Sequence, residues 1–320
     1  IRAILRAPVD LLWNGGIGTY VKASSESHAE AADKANDAIR VDGRDLRVSI
    51  VGEGGNLGLT QAARVEAALA GRGGEGVRLN TDAVDNSAGV DCSDHEVNLK
   101  ILLDSVARTG GLSRAERDAL LARMTDDVAR LVLRDNVEQN ILLTTASAQA
   151  VAMGAVHQRF LAWLEERGLD RAREGLPGRS ALAARLQGGR GLTAPELSVL
   201  MAHAKITLCD DLLAGDLPDD AAATWPLLHG YFPPQVRDRF ADRIAEHPLR
   251  REITANALAN ELVNDCGMTF VFRAQEELQV PVEDICRAYL VVRDVFATKD
   301  YLAAVEALNG TVSSAVQSEL

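Results

Sequence analysis

The sequence predicts two fold classes in tandem, an α/β segment followed by an all-α domain. Three features lead there. Short apolar or β-branched runs alternate with helical patterns through the first third of the chain, and glycine-rich loops follow those runs. Beyond Gly110 nearly every segment carries helical periodicity or a capping signal, so the expected domains are 1–108 and 109–320.

Taken in order, Val9–Trp13 is an apolar run ending in the glycine turn Asn14–Thr19, a strand and its exit. Ser27–Ile39 is helical in pattern, with Ala31, Ala35, Ala38 and Ile39 on one side. Leu46–Val51 is a second strand and Gly52–Gly58 its loop; Thr60–Ala70 is a helix stopped by Gly71. Val77–Asn80 is a third, shorter strand. The order β-α-β-α-β implies parallel strands joined by helical crossovers. One edge of such a sheet is expected to lack its natural neighbour. After the loop Asp85–Ser93, the patterns Ser93-x-x-Glu96, Ser113-x-x-Glu116 and Thr193-x-x-Glu196 read as capping boxes. They open helices over Ser93–Arg108, Ala115–Asn136 and Ala194–Leu213. Gln139–Arg167 is a long helical pattern, Gly175–Gly191 a polar connection, and the prolines from Pro218 to Pro281 cut the remainder into shorter helices.

Composition narrows the class. With 47% hydrophobic and 25% charged residues the chain is globular. Its formal net charge of −12 argues against a general nucleic-acid binder. No apolar run approaches a membrane span. Cys92, Cys209, Cys266 and Cys286 are scattered, which implies a reducing, cytoplasmic setting with no disulfide framework and no metal site; His95 has no ligand-spaced partner. The start at Ile1 lacks an initiator Met and reads as cut from something longer.

The chemistry-bearing segments are the loops. A dinucleotide site normally shows G-x-G-x-x-G, but Leu57 and Val21 stand where the third glycine would fall. The loops therefore fit the C-terminal half of a Rossmann-like parallel sheet, the half that flanks the nicotinamide end. At Asn14–Gly18 close ligand approach and a simple tight turn explain the glycines equally well. In Glu53-Gly54-Gly55-Asn56 a carboxylate and an amide bracket two glycines at a strand end, which favours ligand contact over turn geometry alone. Locally, Ser93 and Glu96 favour a helix cap over the alternative, a Ser reaching a substrate carboxylate held over the same helix end. No G-x-S-x-G, H-E-x-x-H or Walker sequence is present.

Several long strings carry a resemblance: Asp10–Lys22, Val51–Gln61 and Asn80–Lys100, then Leu192–Leu200, Tyr231–Pro233 and Leu249–Ile253. By these the chain resembles the C-terminal part of the large NAD-specific glutamate dehydrogenases of bacteria. The resemblance implies NAD as cofactor, L-glutamate and 2-oxoglutarate as substrate and product, and a homo-oligomer in the intact enzyme, without membrane or nucleic acid. More distantly, Glu53–Asn56 is similar to the E-G-A-N loop of ordinary glutamate dehydrogenases. Asn86–Val90, with Ser93 and Glu96, matches their N-A-G-G-V-x-x-S-x-x-E loop, with Ser87 and Ala88 replacing Ala-Gly. The match implies cofactor contacts at Asn14, Gly15, Glu53, Gly54, Gly55, Asn56 and Asn86. It also implies a substrate-carboxylate contact at Ser93, beyond any capping role. The family's phosphate loop, catalytic Lys and catalytic Asp are expected before Ile1, leaving no catalytic residue here and the chain by itself inactive. The competing expectation is a non-catalytic helical module for regulation or subunit association.

Overall fold

A computed structural model describes residues 1–317. The chain is mostly helical, with a small amount of parallel sheet. In chain order the elements begin with α1 (Arg2–Leu5), β1 (Leu11–Asn14), β2 (Val21–Lys22), β3 (Val41–Asp42) and β4 (Ile50–Glu53). Then come α2 (Gln61–Ala70), α3 (Asp82–Asp85), α4 (Ser87–Arg108), α5 (Arg114–Arg123), α6 (Thr125–Ala148), α7 (Gly154–Glu166), α8 (Arg179–Gln187) and α9 (Ala194–Ala214). The rest is α10 (Ala221–Tyr231), α11 (Pro234–Arg237), α12 (Ala241–Ala245), α13 (Arg250–Cys266), α14 (Phe270–Leu278), α15 (Val282–Val295), α16 (Thr298–Glu306) and α17 (Ser314–Gln317). Two compact units are each assembled from two stretches of sequence: Ile1–Ser93 with Val132–His203, and Asp94–Leu131 with Ala204–Leu320.

The first unit holds all the sheet. β1 pairs in parallel with β4, Leu11 opposite Ile50 and Asn14 opposite Glu53. The third expected strand is reduced to a parallel bridge of Arg78 with Ile50, where Val51 N–H donates to Arg78 O at 3.0 Å. A second parallel pair, β2 with β3, was not expected; its Val21 and Val41 join Leu46, Val48, Val51, Leu59 and Val77 in one apolar core. α2 begins where Thr60 Oγ1 accepts the Ala63 N–H at 3.1 Å and ends at Gly71. Its alanine face lies so close to the turn at Gly43 that a Cβ there would meet Ala63 O at 2.5 Å.

Ser27–Ile39 is not the expected helix. It forms turns and a short 3₁₀ stretch, Lys34–Asn36. Side chains satisfy this backbone in place of helical bonding. Asp33 accepts the Thr19 N–H at 2.8 Å, and the buried Arg40 donates to Thr19 O and Asp33 O. Ala32 has a φ of +56°, in the left-handed region that no helix interior uses. The first crossover is therefore irregular and only the second, α2, is helical. Gly175–Gly191 likewise contains an unexpected helix, α8, seated by the fully buried Leu182.

The second unit is all-α, as the sequence suggested. Leu99, Leu102, Leu103 and Val106 of α4 pack with Leu120, Met124, Leu228, Phe232, Val236, Ile244 and Ile253. Ser113 and Glu116 form the expected capping box. The pattern Ala115–Asn136 is split at Met124 into α5 and α6, and Gln139–Arg167 is split between α6 and α7. In the C-terminal part the Tyr289 hydroxyl lies 2.9 Å from Glu261 and 2.6 Å from Asp265, and Lys299 ties α16 to Asp265 at 2.8 Å. Burial, then the two carboxylates, raise the Tyr289 hydroxyl above its ordinary range. No helix among the described residues is long and apolar enough to cross a membrane. All four cysteines are free thiols.

Candidate functional site

Parallel pairing puts the carboxyl ends of β1 and β4 side by side, so their exit loops emerge together. The loop after Arg78 leaves in the same direction. In open α/β sheets this is the end that binds ligands. The loops touch through backbone. A Cβ on Gly55 would lie 2.7 Å from Gly16 O and 3.0 Å from Gly16 N, so glycine is required there. By contrast a Cβ on Gly16 would meet nothing within 4 Å, and one on Gly15 only ordinary contacts with the Trp13 ring.

The amides gather at this end. Asn86 Nδ2 donates to Asn56 Oδ1 at 3.2 Å, joining the second loop to the third. Asn14 Oδ1 accepts the Gly16 N–H at 3.5 Å, while its buried Nδ2 has no hydrogen-bond partner. That amide fits only because residue 58 is glycine, where a Cβ would stand 1.9 Å away. Glycine backbone, the exposed Asn56 amide, the half-buried Asn86 amide and one unsatisfied buried donor suit the polar end of a nucleotide. They do not amount to a complete dinucleotide cradle, which agrees with the missing G-x-G-x-x-G.

Glu53, the register partner of Asn14, turns inward beside it beneath Gly58. It is 0% exposed, and Arg64 of α2 grips its carboxylate at 2.6 and 2.9 Å. Arg64 also reaches Asp82 at 3.1 Å. Each of these carboxylates holds a backbone N–H of the same loop: Leu59 N–H donates to Glu53 at 3.3 Å and Leu57 N–H to Asp82 at 2.7 Å. Asp85, linked to Asn80 at 3.0 Å, takes the Glu53 N–H at 2.9 Å. Burial raises the Glu53 and Asp85 carboxyls above their ordinary range, with Arg64 and the backbone donors pulling against it. Glu53 therefore shapes the loop from beneath, while Gly54, Gly55 and Asn56 form its outer side. The Arg64, Asp82 and Asp85 supports were missed in the sequence. Their signal is a lone arginine on the buried face of α2, between Ala63 and Ala67.

The expected cap at Ser93 is not formed. α4 starts at Ser87, so Ser93 stands six residues inside it, roughly 9 Å along the axis at about 1.5 Å per residue. Its Oγ is 3.4 Å from Gly89 O, and Glu96 pairs with Lys100 and does not close a capping box. The segment 85–93 is mostly helix, not loop, because Asn136 Nδ2 holds both Val84 O (2.8 Å) and Ser87 Oγ (3.0 Å) at the break between α3 and α4. His95 is buried against Tyr231, with ring centroids 4.2 Å apart.

Comparison with known proteins identifies the family. Residues 1–146 match the family model described as bacterial NAD-glutamate dehydrogenase, catalytic domain, and residues 189–320 the model described as glutamate dehydrogenase, C-terminal. The NAD-specific glutamate dehydrogenase of Pseudomonas aeruginosa is 48% identical over 321 aligned positions, covering 100% of this chain. That of Mycobacterium tuberculosis is 49% identical over 97% of it. The Halomonas elongata protein of the same name is 48% identical over 99%. In every case the chain spans only 19% of the relative's length. The two family models, and near-half identity along the whole chain to three such enzymes, place it plainly: the chain belongs to the bacterial NAD-specific glutamate dehydrogenase family.

Proposed function

We propose that this chain is part of an NAD-dependent enzyme that oxidatively deaminates L-glutamate to 2-oxoglutarate and ammonia. Residues 1–108 would be the second half of its Rossmann-like coenzyme domain and 109–320 a helical domain, in a cytoplasmic homo-oligomer. The observation that carries the reading is the meeting at one strand end of two glycine- and asparagine-bearing loops with the break between α3 and α4, where Asn86 is bonded to Asn56. Gly54, Gly55, Asn56 and Asn86 would form a wall of the cofactor site near the nicotinamide end, with Asn14 and Gly15 on the ribose side. Glu53 would contribute by holding that wall in place. Bound there, NAD would accept hydride from the α-carbon of glutamate. Ser93 is proposed to anchor a glutamate carboxylate; its support is the resemblance of Asn86–Glu96 alone.

No Lys or Asp of this chain sits in a proton-transfer motif of the family, and no phosphate loop is present in the sequence. By itself the chain would therefore bind NADH very weakly and show no glutamate-dependent NAD reduction. Turnover that Ser93→Ala abolishes in a purified preparation would refute this. In the intact enzyme, Asn86→Ala and Ser93→Ala should each lower kcat/KM for glutamate. Wild-type kinetics in both would favour the competing reading, a non-catalytic helical module for regulation or association.

A further inference from the structure

The candidate site has an aromatic neighbour that the motif reading never assigned. Trp13 is 61% exposed, yet it is firmly seated. Its indole lies against Gly52 and Gly54, where Cβ atoms would come within 2.7 and 2.4 Å of ring atoms. Those two glycines share one face of β4 by strand alternation, so together they let the ring lie flat on the backbone. Any side chain at either position would lift it. Trp13 pairs with Gly52, one residue before Asn14 pairs with Glu53, so the ring sits directly below the two exit loops. Its Nε1 is 3.5 Å from where a Gly15 Cβ would stand.

The other two tryptophans are differently placed. The Trp163 face is covered by the Arg167 guanidinium at 3.6 Å, and Trp225 packs against the apolar core of the second unit. Trp13 alone of the three presents a pinned, exposed ring beside the loops. The surrounding charge is unbalanced as well. On the opposite face of β4, Glu53, Asp82 and Asp85 gather around the single cation Arg64.

We propose that the exposed face of Trp13 is the platform on which the nicotinamide ring of the coenzyme stacks, and that it favours the oxidised, positively charged ring over the reduced one. This rests on the coenzyme reading above. The physical reason is the indole quadrupole, which attracts a cation over its face and gains little from a neutral ring beyond stacking. The three carboxylates add to the same preference through the sheet. Nicotinamide loses its charge on accepting hydride, so a platform of this kind holds the substrate form of the coenzyme more tightly than the product form.

The test uses the intact glutamate dehydrogenase carrying this sequence, with NAD⁺ and NADH titrated separately by calorimetry. Trp13→Ala should weaken NAD⁺ binding about tenfold and NADH binding distinctly less, while Trp13→Phe keeps most of the preference. The part of the tryptophan emission that Trp13→Phe removes from the intact enzyme should be solvent-exposed without ligand and quenched by NAD⁺. Equal losses for both nucleotides, or no loss, would overturn the proposal. So would a blue-shifted emission indifferent to NAD⁺ with an unfolded Trp13→Ala protein, which would mean that another protein element covers the ring. Were the wild type to bind neither nucleotide, the coenzyme reading itself would fall and this inference with it; binding by the wild type that is unchanged in Trp13→Ala would sink the inference alone.

Discussion

Replacing Arg64 by methionine would leave two carboxylates of the loop scaffold without their cation while keeping most of the side-chain volume. Glu53 is 0% exposed, so its charge cannot be taken over by water. Removing one partner of a buried pair typically costs about 3–5 kcal/mol. The structure also sets a ceiling, because Glu53 can escape by taking up a proton. For a carboxyl of ordinary pKa near 4.3 that costs about 4 kcal/mol at pH 7 and only about 1 kcal/mol at pH 5. The expected destabilisation of Arg64→Met is therefore about 3–4 kcal/mol at pH 7, shrinking toward about 1 kcal/mol at pH 5. Urea unfolding at the two pH values would measure it, and Glu53→Gln/Arg64→Met should recover most of the loss at pH 7. A loss equal at both pH values, or a double variant no better than the single one, would show that the guanidinium is not neutralising Glu53.

Other outcomes follow from the same geometry. Burial pushes the His157 imidazole down from 6.5 to about 4. Its folded pKa is depressed, so the stability linked to it is present above pH 6.5 and lost as pH falls toward 4, about 3 kcal/mol in all; His157→Leu should flatten that slope in thermal unfolding across the window. Gly55→Ala forces a Cβ onto the Gly16 backbone and should cost about 1–3 kcal/mol, whereas Gly16→Ala, with open space, should cost under about 1 kcal/mol; comparable melting shifts in the two would contradict the loop contact. If the outer side of that loop meets the coenzyme, Gly55→Ala should also raise KM for NAD in the intact enzyme more than Gly16→Ala does.

How much of this could be read from the residues differs by element. The presence of β1, the helix α2 between Thr60 and Gly71, and the cap at Ser113 were all legible because their determinants are local: an apolar run, periodicity, a hydroxyl cap, a glycine stop. The Ser27–Ile39 stretch misled because its alanines mimic a helical face, while Asp33 and Arg40 bind the backbone across the turn. The Ser93 box failed for a similar reason. Asn136, far away in sequence, satisfies the chain at Ser87 and lets α4 begin early. At the site, the glycines and amides were visible as a pattern. That Glu53 points inward to Arg64 depends on strand alternation and on the placement of α2, which no motif encodes.

The interleaving of the two compact units bears on how the chain is made. The first unit needs Val132–His203 to complete what Ile1–Ser93 begins, and a piece of the second unit is synthesised in between. At roughly 5–20 residues per second, the early strands and loops wait on the order of 5–20 s for their remaining partners to leave the ribosome. During that interval the apolar side of α2 and the short, weak strands lack their neighbours from Val132–His203. Stalling of synthesis anywhere before residue 203 leaves both units unfinished.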